Sequence, residues 1–142
     1  MTQPRRLAAS HDIADHTSEL RVRLSAGSLA ELLAEAGRAL AEIQLRGASI
    51  AAGGAWRPIA VSAPDPAGLL ADWLNELIFL AETERWVATE FDVELADGCM
   101  VRGRARGIRL DRAPGLVKAA TLHGLRVDDT PDGLTGEVIL DV

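Results

Sequence analysis

The segment PAGLLADWLNELIFLAETE, residues 66–84, carries Leu69, Leu70, Trp73, Leu74, Leu77, Ile78 and Leu80. At helical spacing these residues cover most of the circumference instead of one stripe. A helix that is apolar on most sides must be buried on more than one side. It is therefore predicted to be the central element, with Trp73, Leu74, Leu77 and Ile78 in the core. Asp65 is a candidate N-cap and Pro66 occupies the first helical position, where a missing N–H costs nothing. Asp72, Asn75 and Glu76 interrupt the apolar run, so it is not a membrane span.

The rest of the chain has to supply the layers around that helix. Residues 1–12 are expected to be weakly ordered. In ELRVRL, Leu20, Val22 and Leu24 alternate with Glu19, Arg21 and Arg23, the pattern of a half-buried strand. Ser28 with Glu31 three residues on forms a capping box, and Leu29, Leu32, Leu33, Ala36, Leu40 and Ile43 follow at helical spacing. This predicts a helix over 29–45. AAGG at 51–54 reads as a turn, and WRPIAVS as a short strand that Pro58 places at an edge. After the second helix the period changes to two. FDVEL, an ADG turn and CMVRGRARGIRL form an antiparallel pair. LVKAATLHGLRV and LTGEVILDV are further strands around the turn-rich DDTPDG. Two helices among about six strands predict an α+β fold with helices packed on antiparallel sheet.

With 142 residues the chain forms one domain, 1–142, with enough length for a core of its own. A net charge of −6 argues against a phosphate-backbone binder. The single Cys99 rules out an intramolecular disulfide and suits a reducing compartment. Arg5 and Arg6 form a twin arginine with no apolar run after it, so no export signal is read and the cytoplasm is expected.

His11, His16 and His123 lack zinc-ligand spacing, and neither a phosphate loop nor a nucleophile elbow is present. A metal-dependent hydrolase is disfavoured for that reason. His123, before Gly124, reads first as a polar residue at a strand bend. Arg102, Arg104 and Arg106 share one strand face, either as a solvated face paired with acids or as a contact for an acidic partner or RNA phosphate. Lys118 is the lone lysine beside fourteen arginines and sits in an apolar segment. Arginine is a planar fork and lysine a compact ammonium, so a chain this biased has little reason to keep one lysine on ordinary surface. Asp141 alternates away from the Leu134, Gly136, Val138, Leu140 stripe and stands beside the carboxylate of Val142. If the last strand lies near the first, Glu19 or Asp15 converges on Asp141, a set suited to Mg²⁺ or Ca²⁺.

DHTSELRV, SLAELLAEAGRAL, LLADWLNELIFLAETE, LVKAATLHGLRV and GEVILDV, in that order, resemble the archeases from about Asp15 to Val142. The resemblance implies a small α+β protein of strand-helix-strand-strand type. It implies a non-enzymatic cofactor that promotes guanylylation of a GTP-dependent ligase in tRNA splicing and RNA repair. RNA would be met only through that ligase. By the same resemblance, Lys118, His16 and His123 act in ligase activation, and Glu19, Asp141, Val142 and Asp15 hold a divalent cation. The chain departs from the family pattern at one place. Where the motif runs His-Thr-x-Asp, it has His16, Thr17, Ser18 and Glu19, an arm longer by one methylene. A binding or chaperone-like module with another partner is the alternative.

Overall fold

The computed structural model describes residues 6–16, 18–48 and 50–142, and His16 only as backbone. The elements run β1 (Ser10–His16), β2 (Glu19–Ala26), α1 (Leu29–Gln44), β3 (Gly53–Ser62), α2 (Pro66–Glu84), β4 (Trp86–Ala96), β5 (Met100–Arg109), β6 (Ala119–Thr130) and β7 (Gly133–Asp141). All pairings are antiparallel. One sheet has the order β1-β2-β7-β6 and the other β3-β5-β4.

Each helix packs on both sheets: α1 against β4 and β2, α2 against β6, β4 and β3. That is why α2 is apolar nearly all round. Leu69, Leu70, Trp73, Leu74, Leu77, Ile78 and Leu80 are all buried. The α2 start is as its sequence dictates, with the Gly68 N–H donating to Asp65 Oδ1 at 2.7 Å and Pro66 beginning the helix. In α1 the Glu31 N–H donates to Ser28 Oγ at 3.2 Å, and the Glu31 carboxylate reaches back to the Gly27 N–H at 3.3 Å. The two helices are joined in the core by Trp73 Nε1, which donates to the Leu33 carbonyl at 2.9 Å. Gly37 of α1 permits the close approach of Phe91. A Cβ there would stand 2.5 Å from the ring.

The structure departs from the sequence reading in three places. Weak order was expected through residue 12, yet β1 begins at Ser10 and pairs with β2 over seven residues. The 51–54 turn is shortened, because β3 already starts at Gly53. Lys118, expected within a strand, lies one residue before β6.

The β1 strand is held at the sheet edge by an ionic clamp that its sequence does not advertise. His11 Nδ1 lies 2.6 Å from Glu35 and Nε2 lies 2.5 Å from Glu42, both on α1, while Arg38 donates to Glu35 at 2.8 Å. Burial pulls the imidazole down, and the hydrogen bonds to Glu35 and Glu42 pull it up by more, leaving it above its ordinary value. A raised histidine stabilises fully below its unfolded value of 6.5 and loses that contribution as pH rises through the folded value. Burial also pushes Glu35 up, but hydrogen bonds from His11 and Arg38 bring it below its ordinary value. Its contribution is therefore lost only in acid. Amide exchange at Ile13 should accordingly show a protection that falls as pH rises above 6.5, after correction for intrinsic rates. His11→Ala should remove that dependence and cost about 1–3 kcal/mol. Equal pH dependence in the variant would show that the clamp does not hold β1.

Candidate functional site

The site is assembled by strand register at one end of the β1-β2-β7-β6 sheet. β2 and β7 are joined side by side although more than a hundred residues separate them, and this pairing sets Glu19 opposite Asp141. His16 is the partner of Glu19 on β1, and Ala119 is the partner of Asp141 on β6. Cross-strand partners share a face with Cβ atoms about 5 Å apart. Glu19, Asp141 and Ala119 therefore form one row on the face opposite the Leu20 and Leu140 stripe, and the His16 backbone stands beside Glu19 by register. Glu19 is half-buried and Asp141 exposed. The row is closed by the Val142 N–H, which donates to the Ser18 carbonyl at 3.2 Å. The Val142 main chain thus stands beside Ser18, which precedes Glu19 on the neighbouring strand.

Asp15 does not join them. It pairs with Leu20, and strand alternation sends it to the helix-facing side. Thr17 lies outside the described residues, as does the His16 side chain. No group of three or more His, Cys, Asp or Glu side chains with metal-binding geometry occurs among the described residues.

Lys118 reaches this row from the other side. Its N–H donates to the Asp141 carbonyl at 2.8 Å, and its side chain is exposed. The segment around it is held firmly. The Gly115 N–H donates to Glu82 of α2 at 2.9 Å, Val117 is buried, and Ala120 is bound through both backbone groups to Asn75 of α2. An ammonium and two carboxylates therefore share one sheet end. His123 is not part of the row. β6 bulges between Thr121 and Arg126, and exposed His123 sits in that bulge before Gly124, whose φ of 69° belongs to the left-handed region. The strand-bend reading of this histidine is what the backbone supports.

Further along the same face the charge changes sign. Arg23, Glu137 and Arg126 make a lower row, with Arg21 above. Glu137 has a side chain only 12% exposed and lies 3.1 Å from Arg126, 3.3 Å from Arg21 and 3.5 Å from Arg23. Burial pushes its carboxyl up. The Arg126 hydrogen bond and the three guanidinium charges outweigh that and hold it below the usual carboxylate range.

The arginine stripe on β5 belongs to the second sheet. Arg104 Nε donates to Asp92 at 3.0 Å and Arg106 Nε to Glu90 at 2.6 Å, and both guanidinium groups lie over the Trp56 ring. Cross-strand acids thus meet most of its charge, the arrangement of a solvated face. Sequence reasoning missed Asn75 and the His11 clamp. The only local signal of either is a polar residue in an otherwise apolar stretch of helix. No helix is long and apolar enough to cross a membrane among the described residues.

Residues 11–142 match the model of the Archease protein family (MTH1598/TM1083). Protein archease of Archaeoglobus fulgidus is 32% identical over 134 residues, covering 90% of this chain and 96% of the relative. The solution structure of Methanobacterium thermoautotrophicum protein 1598 superposes with a TM-score of 0.76 at 27% identity, covering 93% of this chain and 98% of that one. The crystal structure of an archease, possible chaperone, from Thermotoga maritima gives a TM-score of 0.62 at 22% identity and shares the fold. It covers 91% of this chain and 94% of its own.

Proposed function

The chain belongs to the archease family, and on that premise we propose that it is a non-enzymatic protein cofactor that activates a GTP-dependent RNA ligase of tRNA splicing and RNA repair. The observation that carries the reading is the placing of its only lysine, Lys118, one residue from the row that holds Glu19 and Asp141. The protein docks beside the ligase active site in the cytoplasm and presents the Lys118 ammonium to GTP as the ligase histidine takes up the guanylyl group. Positive charge placed where phosphate charge develops lowers the barrier of phosphoryl transfer electrostatically. His16 joins this site by its register place beside Glu19. His123, set back in the β6 bulge, acts at the rim of the docking surface.

Glu19, Asp141 and the main-chain oxygens of Val142 are the groups that would hold a divalent cation. They fit one in kind, being oxygen donors drawn from adjacent strands onto one face. When bound, the cation supplies further positive charge toward phosphate oxygens. The longer arm of Glu19 suits the variable geometry of Ca²⁺ better than the strict octahedron of Mg²⁺. In calorimetry Asp141→Ala should therefore abolish binding of both ions, and Glu19→Asp should tighten Mg²⁺ about tenfold with little change for Ca²⁺. Absence of heat from either ion at millimolar concentration in the wild type would refute the site.

The functional test is multiple-turnover joining of a 5′-hydroxyl RNA to a 2′,3′-cyclic phosphate end by the cognate ligase. Added protein should turn a stalled reaction into a continuing one. The alternative is a binding or chaperone-like module for another partner, and the departure at Glu19 favours it. Capture of a different protein and not the ligase, with no stimulation of joining, would support that alternative.

A further inference from the structure

β6 is the outermost strand of its sheet, so the backbone groups on its open side have no strand to pair with. Ala120 is such a residue, yet neither of its groups is left unmet. Its N–H donates to Asn75 Oδ1 at 2.8 Å, and its carbonyl accepts from Asn75 Nδ2 at 3.2 Å. A primary amide offers one acceptor and two donors, enough to stand in for one residue of a neighbouring strand. One helix side chain therefore completes the ladder at a single point. Asparagine is a poor choice inside a helix, because it competes for backbone hydrogen bonds. On α2 its side chain makes these two hydrogen bonds and no other among the described residues.

We infer that Asn75 is a positioning residue for Lys118, an inference that rests on the activator reading of that lysine. Only Ala119 separates Lys118 from the clamped Ala120. On the other side Val117 is buried in the core and the Lys118 N–H is committed to the Asp141 carbonyl. The Asn75 amide thus ties the start of β6 to α2, the most deeply packed element of the fold. It fixes where the ammonium begins relative to Glu19 and Asp141. Without it the open edge is free to lift away from α2, and the long lysine stem projects from an unfixed origin. Small displacements of a charge from its working position lower a rate steeply while leaving binding by the surrounding surface intact.

The test compares wild type, Asn75→Ala and Asn75→Asp in stimulating ligase guanylylation across a range of protein concentration. Asn75→Asp is nearly isosteric. It keeps the acceptor for the Ala120 N–H but sets a carboxylate against the Ala120 carbonyl, so it also serves if the alanine variant folds poorly. Asn75→Ala should lower the maximal stimulated rate about tenfold to a hundredfold, with the half-saturating concentration unchanged. Asn75→Asp should fall between that and wild type. In amide exchange without ligase, Ala120 should lose protection in Asn75→Ala while Val138 and Leu140 keep theirs. Wild-type stimulation by Asn75→Ala, a loss confined to the half-saturating concentration, or unchanged Ala120 protection would each overturn the positioning role. If the wild type itself gives no stimulation, the activator reading fails and takes the positioning role with it. Failure of Asn75 alone leaves wild-type stimulation in place.

Discussion

Lys118→Ala is expected to abolish stimulation of ligase guanylylation while changing stability by less than about 0.5 kcal/mol. The two halves of that expectation come from different observations. Lys118 is exposed and its structural bond is made by its backbone N–H, which alanine retains. The fold therefore has no use for the ammonium. The proposed role in activation would give a use to the only lysine of a chain that otherwise uses arginine throughout. Lys118→Arg should restore part of the stimulation, because a planar fork keeps the charge but not the compact point geometry. Comparing the maximal stimulated rates of the three proteins, with their melting curves, checks this. Full activity in Lys118→Ala would remove this residue from the mechanism.

The largest effect on stability should come from Trp73→Ala, about 3–5 kcal/mol in denaturant unfolding. Trp73 is fully buried, contacts Phe91 of β4 with ring centroids 6.3 Å apart, and ties α2 to α1 through the Leu33 carbonyl. Its removal would empty the middle of the layer that both sheets pack on. Leu77→Ala, also in that layer, should cost about 2–5 kcal/mol. A cost below half a kilocalorie at either position would mean that α2 does not face the core as described.

Much of this arrangement is legible in the residues because it is local. The caps at Ser28 and Asp65, the all-round apolar face of α2 and the two-residue alternation of β2, β5 and β7 each follow from near neighbours. Pro58 marked β3 as an edge strand, and β3 does stand at the edge of its sheet. Non-local features were not legible. β1 has only Ile13 as a large apolar residue, and its place depends on carboxylates of α1 that a linear reading cannot bring to His11. The meeting of Glu19 with Asp141 was visible only as a condition, since the β2–β7 pairing has no local signature. Once that pairing forms, the period of two decides the rest. It puts Glu19 and Asp141 on one face and Asp15 on the other. The setting of Lys118 just outside β6 likewise depends on Asn75 and Glu82, which belong to a helix some 35 to 45 residues away.

As proposed, this protein activates a partner ligase substoichiometrically through the sheet end that carries Lys118, Glu19 and Asp141. The most direct measurement follows transfer of labelled guanylate from GTP to the ligase, with this protein at about one tenth of the ligase concentration. Labelling should be faster and proceed to completion of the ligase pool, so that each molecule serves several ligases, with the effect lost in Lys118→Ala. A labelling rate that is unchanged by the wild-type protein at any concentration, under conditions where the two proteins demonstrably associate, would contradict the proposal.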